Sequence, residues 1–204
     1  MRLSLLLTLR RSGDDDRSDL LAYAGYTHRL MDGLYGLLPL GHRVLQRIAF
    51  VVRREMSSIG AQEVSMPLLQ PEELWQWPTD AGDTRASSFG SQLFRILSHD
   101  GKRLILAPTH EEVATLIGAL CIRDVRDLPR VFYQIQPRFR DQASSIENGL
   151  LQTREFVMAD AYSFHSDRAS LDESYAVIKQ TFRRIATACG VHAEFAAADA
   201  GVMG

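Results

Sequence analysis

The chain has 204 residues, of which 46% are apolar and 24% are charged, and its formal net charge at pH 7 is −2. This length accommodates one sizeable hydrophobic core, at most one domain with an appendage. The near-neutral charge excludes a general attraction to nucleic acid, so any RNA contact would be a local patch. The two cysteines, Cys121 and Cys189, lie far apart and indicate buried free thiols rather than a disulfide. Since no Cys/His cluster has metal-ligand spacing, no metal site is predicted.

The N-terminal segment resembles a targeting signal only superficially. Residues 1–11 contain a short apolar run, but three consecutive aspartates at 14–16 follow it without a small-residue cleavage site. No apolar stretch approaches the length of a membrane span. We therefore predict a cytoplasmic protein that has no membrane partner.

Periodicity in the first third predicts two helices and a strand. Residues 18–33 carry a broad apolar face that is typical of a helix. Residues 44–59 form a longer amphipathic helix that ends near Gly60, and residues 61–66 continue as a strand that stops at Pro67. Apolar residues recur at helical spacing in the second helix: Val44, Leu45, Ile48, Val51, Val52, Met56 and Ile59.

The middle of the chain alternates between short elements and polar sequence. Pro71 predicts the start of a helix over residues 70–76, and residues 77–92 are rich in small polar residues, as in a mobile loop over a site. Residues 93–97 and 103–106 predict a hairpin.

A helix start follows this hairpin. Thr109 and Glu112 have the spacing of a capping box, and Glu111 is favourable near the positive end of a helix dipole. This structural interpretation leaves Glu111 without a specified role. His110 is expected to pack locally rather than act in catalysis.

Residues 131–164 predict the hairpin around which the chain is organised. Two strands, 131–139 and 156–164, flank a polar loop, and Arg140 and Arg154 lie where the strands meet that loop. A guanidinium there can bind a carboxylate or phosphate through two parallel hydrogen bonds, although a surface Arg/Glu ladder explains the same spacing. A helix capped at Ser166-Asp167 and a last strand over residues 192–198 are predicted after it.

Three segments carry a resemblance to a known family. FYQIQPRFRDQ and REFVMADAYSFH, which begin at Phe132 and Arg154, resemble motif 2 of class II aminoacyl-tRNA synthetases, specifically of bacterial-type prolyl-tRNA synthetases. Residues 33–67 resemble motif 1, and APTHEE at 107–112 resembles the proline-recognition signature. The likeness extends from about Arg29 to the end of the chain.

The resemblance implies an α+β fold, in which helices flank an antiparallel sheet. Residues 1–28 would be an N-terminal lead-in, and residues 29–204 would form a catalytic domain with motifs 1 and 2 only. On this expectation the chain is truncated before motif 3 and has no anticodon-binding domain. Motif 1 would build a homodimer interface; the alternative is a plain core helix whose basic side faces water.

The resemblance also assigns site residues. Thr109 and Glu111 would hold the imino group of proline, and Arg140 would contact the amino-acid carboxylate and the α-phosphate as the catalytic residue. A nucleotide-binding set of Gln142, Arg154 and Phe156 is weakened, because Gln142 replaces the glutamate that accepts from the adenine amino group. The loop ASSIENGLLQ also lacks the family's phosphate-binding arginines. No cofactor is firmly implied, and binding of ATP and Mg²⁺ is expected to be weak.

These expectations leave several functions open. The first is an aminoacyl-transfer enzyme that uses an activated aminoacyl group, from aminoacyl-tRNA or an adenylate, and binds proline or a prolyl group. The second is a non-catalytic module that binds a synthetase or tRNA. The third is a fragment of an ATP-dependent proline–tRNA ligase.

Overall fold

The computed structural model describes residues 20–78, 82–142 and 150–197, which contain eight strands and five α-helices. In chain order these are α1 (Leu20–Tyr23), β1 (Thr27–Met31), β2 (Leu34–Leu37), α2 (Pro39–Ser58), β3 (Gln62–Glu63), β4 (Leu69–Pro71), α3 (Arg85–Phe89), β5 (Arg95–Leu97), β6 (Arg103–Leu106), α4 (Glu111–Cys121), β7 (Arg130–Phe139), β8 (Glu155–Phe164) and α5 (Arg168–Ala188). The predicted α+β class is confirmed. Strand pairing is antiparallel throughout the described part except between β3 and β7.

The predicted central hairpin is confirmed as β7 and β8. The two strands pair without a break from Arg130 opposite Phe164 to Phe139 opposite Glu155. β3 joins the other edge of β7, which gives the sheet order β3-β7-β8. Most of the polar loop between the strands, residues 143–149, lies outside the described residues, including Glu147.

The two faces of β7 contact different helices, because side chains alternate along a strand. One face joins a core formed with α2 and α5, whose members include Val51, Val52, Met56, Tyr133 and Ile185. The other face joins a second core formed with α4, whose members include Met66, Val113, Ala114 and Phe132. The second face also carries Gln134 and Arg138, which are fully buried. The sheet therefore separates a mainly apolar core from a layer that contains buried polar groups of β7.

A second sheet has the order β4-β6-β5 and confirms the predicted hairpin of residues 93–106. The helix predicted over residues 70–76 is present as a 3-10 helix, Glu72–Gln76, which follows Pro71. Its Trp75 is fully buried and meets the edge of the Phe89 ring at 5.4 Å between centroids.

The prediction of a mobile loop over residues 77–92 is wrong for its described second half. Residues Arg85–Phe89 form α3, and Ala86 and Phe89 are buried in the core with Trp75. The small polar residues that suggested a loop instead begin this helix. The Thr84 hydroxyl accepts from the Ser87 backbone, and the Ser87 hydroxyl accepts from the Thr84 backbone. Residues 79–81 lie outside the described residues.

The predicted helix over residues 18–33 is wrong beyond its first turn. α1 ends at Tyr23, and β1 and β2 then form an antiparallel hairpin. Gly25 and Gly33 both adopt a φ of 76°, a left-handed conformation that favours glycine and that a continuous helix cannot contain. The apolar periodicity of this segment therefore belongs to a short helix and a hairpin.

Two predicted strands are reduced or absent. The strand predicted over residues 61–66 is reduced to Gln62–Glu63. The Val64 N–H still donates to the Tyr133 carbonyl of β7 at 2.8 Å, but the Met66 N–H donates to the Gln134 side chain. The last predicted strand, over residues 192–198, is irregular through residue 197. Its Phe195 ring contacts the cationic ends of Lys179 and Arg183, which lie on α5.

The two long helices are confirmed. α2 begins closely beside β1, since a Cβ added to Gly41 would lie 2.2 Å from the Tyr26 carbonyl oxygen. α5 has Asp167 as its N-cap, and the Asp167 carboxylate accepts from the Ser170 backbone at 2.9 Å.

The two cysteines are free thiols, but the prediction that both are buried is wrong: Cys121 is exposed and Cys189 is only half-buried. Within the ranges that the structure describes, no helix has both the length and the apolar character needed to cross a membrane.

Candidate functional site

The segment between β6 and α4 is fixed against the end of β7. The Ala107 N–H donates to the Leu68 carbonyl at 2.9 Å, and the Ala107 carbonyl accepts from the Phe139 N–H at 3.1 Å. The fully buried Gln70 side chain donates to the Thr109 carbonyl at 3.1 Å. These bonds bring the start of α4 next to the residue that follows β7, which is Arg140.

Glu111 lies in the first turn of α4 and is bonded by its neighbour. The Thr109 hydroxyl donates to the Glu111 carboxylate. Burial raises the pKa of Glu111, while the Thr109 hydrogen bond acts in the opposite direction. The side chain nevertheless keeps 37% of its surface exposed, so the carboxylate is accessible to a ligand.

The predicted capping box at this helix start is wrong. His110 is the N-cap residue and makes no side-chain capping bond. Thr109 bonds Glu111, and Glu112 bonds Arg85 at 2.6 Å. A charge-assisted bond to a residue 27 positions away therefore replaces the local contact that the spacing suggested.

Arg140 lies across the cleft from the helix start. Its Nε and Nη2 both donate to the Pro108 carbonyl at 3.3 Å, and its guanidinium lies over the Phe156 ring, 5.4 Å from the centroid. Burial lowers the pKa of Arg140, and the nearby Glu111 carboxylate raises it. The predicted residues Thr109, Glu111, Arg140 and Phe156 thus lie together, and Arg140 does not form the alternative surface Arg/Glu ladder.

Gln142 and Arg154 lie at the open end of the hairpin and bond to nearby chain. The Gln142 side-chain amide donates to the Thr153 carbonyl at 3.2 Å. The Arg154 backbone N–H donates to the Gly33 carbonyl at 2.8 Å. The Nη1 atom of its side chain lies 3.7 Å from the Asp141 carboxylate. The Gln142 side chain therefore has a local hydrogen-bond partner. The Arg154 guanidinium makes only a long approach to Asp141, and its buried Nε has no hydrogen-bond partner among the described residues.

A buried polar network lies beneath the cleft and was not predicted. The Arg138 guanidinium donates to the Asp160 carboxylate and, at 2.8 Å, to the Pro137 carbonyl. Asp160 also accepts from the Gln134 amide at 3.1 Å. Burial and the adjacent Asp160 raise the pKa of Tyr162, so its phenol remains protonated. The alternation of side chains along β7 could have predicted this network. Gln134 and Arg138 share a face with buried Phe132, and buried polar groups require polar partners.

His110 has the local packing role that was predicted. It is fully buried, and its Nε2 donates to the Pro67 carbonyl at 2.9 Å. Burial, aided by the positive charge of Arg138, lowers the pKa of His110 to about 4. The imidazole is therefore neutral near pH 7 and fixes the turn before α4 to the segment after β3.

Arg85 is a further residue at the site that was not predicted. Its Nε lies 2.6 Å from the Glu112 carboxylate, and its Nη2 lies 3.7 Å from the Glu111 carboxylate. No sequence signal connects α3 with α4, because the two elements are separated by a complete hairpin. Over the described residues, no cluster of three or more His, Cys, Asp or Glu side chains has the arrangement of a metal site.

Comparison with known proteins relates this chain to one family. Residues 94–198 match the family model described as the tRNA synthetase class II core domain (G, H, P, S and T). A proline–tRNA ligase from Synechocystis sp. is 44% identical over 213 aligned residues that include all of this chain and 34% of the relative. One from Thermodesulfovibrio yellowstonii is 42% identical and aligns with 91% of this chain and 31% of its own length. The chain therefore spans about a third of the length of these curated relatives.

Solved structures share the fold. A Giardia lamblia prolyl-tRNA synthetase in complex with prolyl-adenylate has a TM-score of 0.74 at 19% identity, covering 82% of this chain and 34% of its own. A Cryptosporidium parvum prolyl-tRNA synthetase complexed with L-proline and AMP has a TM-score of 0.71 at 18% identity, covering 87% of this chain and 34% of its own.

Proposed function

Because the chain belongs to the tRNA synthetase class II core family and resembles proline–tRNA ligases along its length, we propose that it binds proline or a prolyl group in the cleft between α4 and β7. We propose further that it positions an activated prolyl group for transfer. The observation that carries this proposal is the convergence of Thr109, Glu111 and Arg140 on one cleft. The charges of these groups match the two ends of an amino acid.

The amine end of the ligand would bind at the start of α4. A secondary ammonium has two N–H donors, which suit the Glu111 carboxylate and the oxygen of the Thr109 hydroxyl. Burial disfavours the ionised form of Glu111 when no cation is bound, so a bound ammonium compensates a cost that the fold already carries. This arrangement favours a cationic ligand over a neutral one.

The carboxyl or acyl end would bind Arg140. Its two N–H groups contact the Pro108 carbonyl at 3.3 Å, which is long compared with about 2.7–2.9 Å for charge-assisted bonds. A ligand oxygen can therefore replace a weak contact and make a stronger one. In the transfer step an acceptor oxygen or nitrogen attacks the prolyl carbonyl carbon. The bond to the ribose oxygen of tRNA, or to the phosphate oxygen of an adenylate, then breaks, and that oxygen gains the proton which the acceptor loses.

The contribution of the protein to this reaction would be positioning. Holding the prolyl group at both ends reduces the entropy that must be lost at the transition state, and such positioning can lower a barrier by about 7 kcal/mol or more. Arg140 would in addition stabilise the negative charge that develops on the carbonyl oxygen. Proline and the acceptor end of an aminoacyl-tRNA are thus the proposed partners.

Nucleotide binding is proposed to be weak. The Gln142 amide already donates to the Thr153 carbonyl, and Arg154 is close to Asp141. Phe156 keeps an aromatic ring at this position, but the Arg140 guanidinium lies over one of its faces, and one stacking surface alone contributes only about 1–3 kcal/mol. Gln142→Glu is expected to increase ATP affinity modestly and to leave the response to proline unchanged.

A second candidate is that the chain is one part of an ATP-dependent proline–tRNA ligase. It is supported by the curated relatives, which carry that name and of which the chain covers about a third. A non-catalytic module that binds a synthetase or tRNA remains the third alternative.

One set of assays separates these candidates. Prolyl-tRNA is incubated with the protein and hydroxyl or amine acceptors, with and without ATP, and Glu111→Gln serves as the matched control. Release of tRNA without ATP, lost in Glu111→Gln, supports transfer. Binding of prolyl-tRNA without turnover supports the non-catalytic module. Proline-dependent exchange of pyrophosphate into ATP supports the ligase and contradicts the transfer proposal.

We further propose that α2 forms a two-fold homodimer interface. The N-terminal half of α2 exposes Val44 and Ile48, and the adjoining hairpin exposes Leu30 and Met31. A self-complementary apolar surface fits a closed dimer. Ile48→Glu is expected to convert the dimer to a monomer in light scattering, whereas Gln180→Glu, at an exposed position on α5, should not. A wild-type protein that stays monomeric at tens of micromolar would contradict this proposal.

A further inference from the structure

The Arg85 side chain lies between two carboxylates at the start of α4. Its guanidinium contacts Glu112 at 2.6 Å and lies 3.7 Å from Glu111, and only 15% of the side chain is exposed. The carboxylate of Glu112 is itself almost completely buried. One cation thus faces both the proposed ligand-binding carboxylate and a neighbouring acid that does not reach the ligand.

Besides its ion pair with Glu112, Arg85 makes contacts that involve neither acid. The reciprocal Thr84–Ser87 cap sets the first turn of α3, and the Arg85 N–H donates to the Trp77 carbonyl at 3.2 Å. The guanidinium also lies over the ring of Phe89, 5.3 Å from its centroid. Because Phe89 is buried in the core against Trp75, the ring beneath the Arg85 guanidinium has a fixed position next to α4.

We propose that Arg85 is a positioning residue for the imino-binding site: it neutralises Glu112 and keeps Glu111 ionised and ready to accept the ligand ammonium. This inference rests on the proposed function. Glu112 is the anchor that holds the guanidinium at this distance. A short ion pair with Glu112 and a longer approach to Glu111 leave the Glu111 oxygens available for a ligand.

The groups that face Glu111 come from four elements. The Thr109 hydroxyl and Glu112 belong to the start of α4, Arg85 to α3, Arg140 to the end of β7, and Tyr162 to β8. Burial and the charge of Glu112 raise the pKa of Glu111, while Thr109 and Arg85 lower it. Without Arg85, the negative charge of Glu112 would no longer be balanced by a nearby cation, and the pKa of Glu111 would rise further.

The sign of the pH dependence follows from this arrangement. The ligand ammonium binds the ionised form of Glu111, so affinity is complete above the pKa of Glu111 and is lost as the pH falls through it. Removal of Arg85 raises that pKa and therefore moves the loss of affinity to higher pH. An opposite charge within about 4–6 Å shifts a carboxyl pKa by about one unit or more, which corresponds to about tenfold in affinity at the acidic end.

The test compares Arg85→Gln, Arg85→Lys and the double variant Arg85→Gln/Glu112→Gln. Proline affinity is measured by calorimetry between about pH 5 and about pH 8, and the Glu111 carboxyl is titrated by carbon NMR in the absence of ligand. We expect Arg85→Gln to lose about tenfold in affinity at the acidic end but much less at the basic end. Arg85→Lys should restore most of the affinity, and the double variant should recover part of it. Thermal unfolding verifies that each variant is folded.

Several results would overturn the inference. An affinity loss that is the same at every pH would mean that Arg85 acts only through packing, and an unchanged Glu111 titration in Arg85→Gln would contradict its electrostatic role. If the wild type does not bind proline but Arg85→Gln still raises the pKa of Glu111, the proposed function fails while the role of Arg85 in holding Glu111 ionised stands.

Discussion

Arg140→Ala is expected to weaken proline binding by about ten- to a hundredfold, because a charge-assisted bond contributes about 1.5–3 kcal/mol. Among the described residues, the wild-type guanidinium makes two long hydrogen bonds to Pro108 and lies over the half-buried Phe156 ring, so its removal should cost little stability. The loss should therefore appear in calorimetric affinity and not in the unfolding temperature.

The matched control for this variant is Arg126→Ala. Arg126 is highly exposed, and its ion pair within the described residues is with Asp124 nearby in sequence. Its removal therefore changes the net charge equally without touching the cleft. Equal affinity losses in Arg140→Ala and Arg126→Ala would show that the effect is one of overall charge, and would contradict the site assignment.

Arg138→Ala is expected to have the largest effect on stability, lowering the free energy of unfolding by about 3–5 kcal/mol. The Arg138 side chain is completely buried, and its partner Asp160 has only 15% of its side chain exposed. Removing the guanidinium would leave a largely buried carboxylate whose remaining neutral donor is the Gln134 amide. Urea unfolding of the variant measures the loss.

The double variant Arg138→Ala/Asp160→Ala provides the control for this interpretation. It removes both charges, and it should therefore be less destabilised than the sum of the two single variants. A loss below about 1 kcal/mol in Arg138→Ala would place the pair among solvent-screened surface bridges and would contradict the description of a buried network.

The long elements were predictable because local pattern and tertiary packing agree in them. β7 and β8 combine strand-forming residues with a polar loop, and α2 and α5 carry apolar residues at helical spacing. The end of α1 and the first hairpin were missed, since two glycines with positive φ interrupt a segment whose apolar pattern resembles one continuous helix. α3 was missed because its stability comes from distant partners of Phe89 rather than from its own composition.

The site residues also fall into those that local sequence could predict and those that depend on tertiary packing. Thr109, Glu111 and Arg140 were predicted because each belongs to a contiguous segment that resembles a motif of the family. The structure brings these segments together. Arg85 was missed because its contacts to Glu111 and Glu112 cross a complete hairpin. The Arg138–Asp160 pair links two strands, so only a known register could place those side chains beside each other.

We propose that this cleft recognises proline while its nucleotide site is weakened. Calorimetry on the wild-type protein tests this proposal most directly. Proline and ATP are titrated separately, with Glu111→Gln as the matched variant. We expect measurable proline binding that is reduced about tenfold or more in Glu111→Gln, together with ATP binding that is weak or undetectable. Micromolar ATP binding with no response to proline would contradict the retained pocket and would favour a part of a nucleotide-dependent ligase.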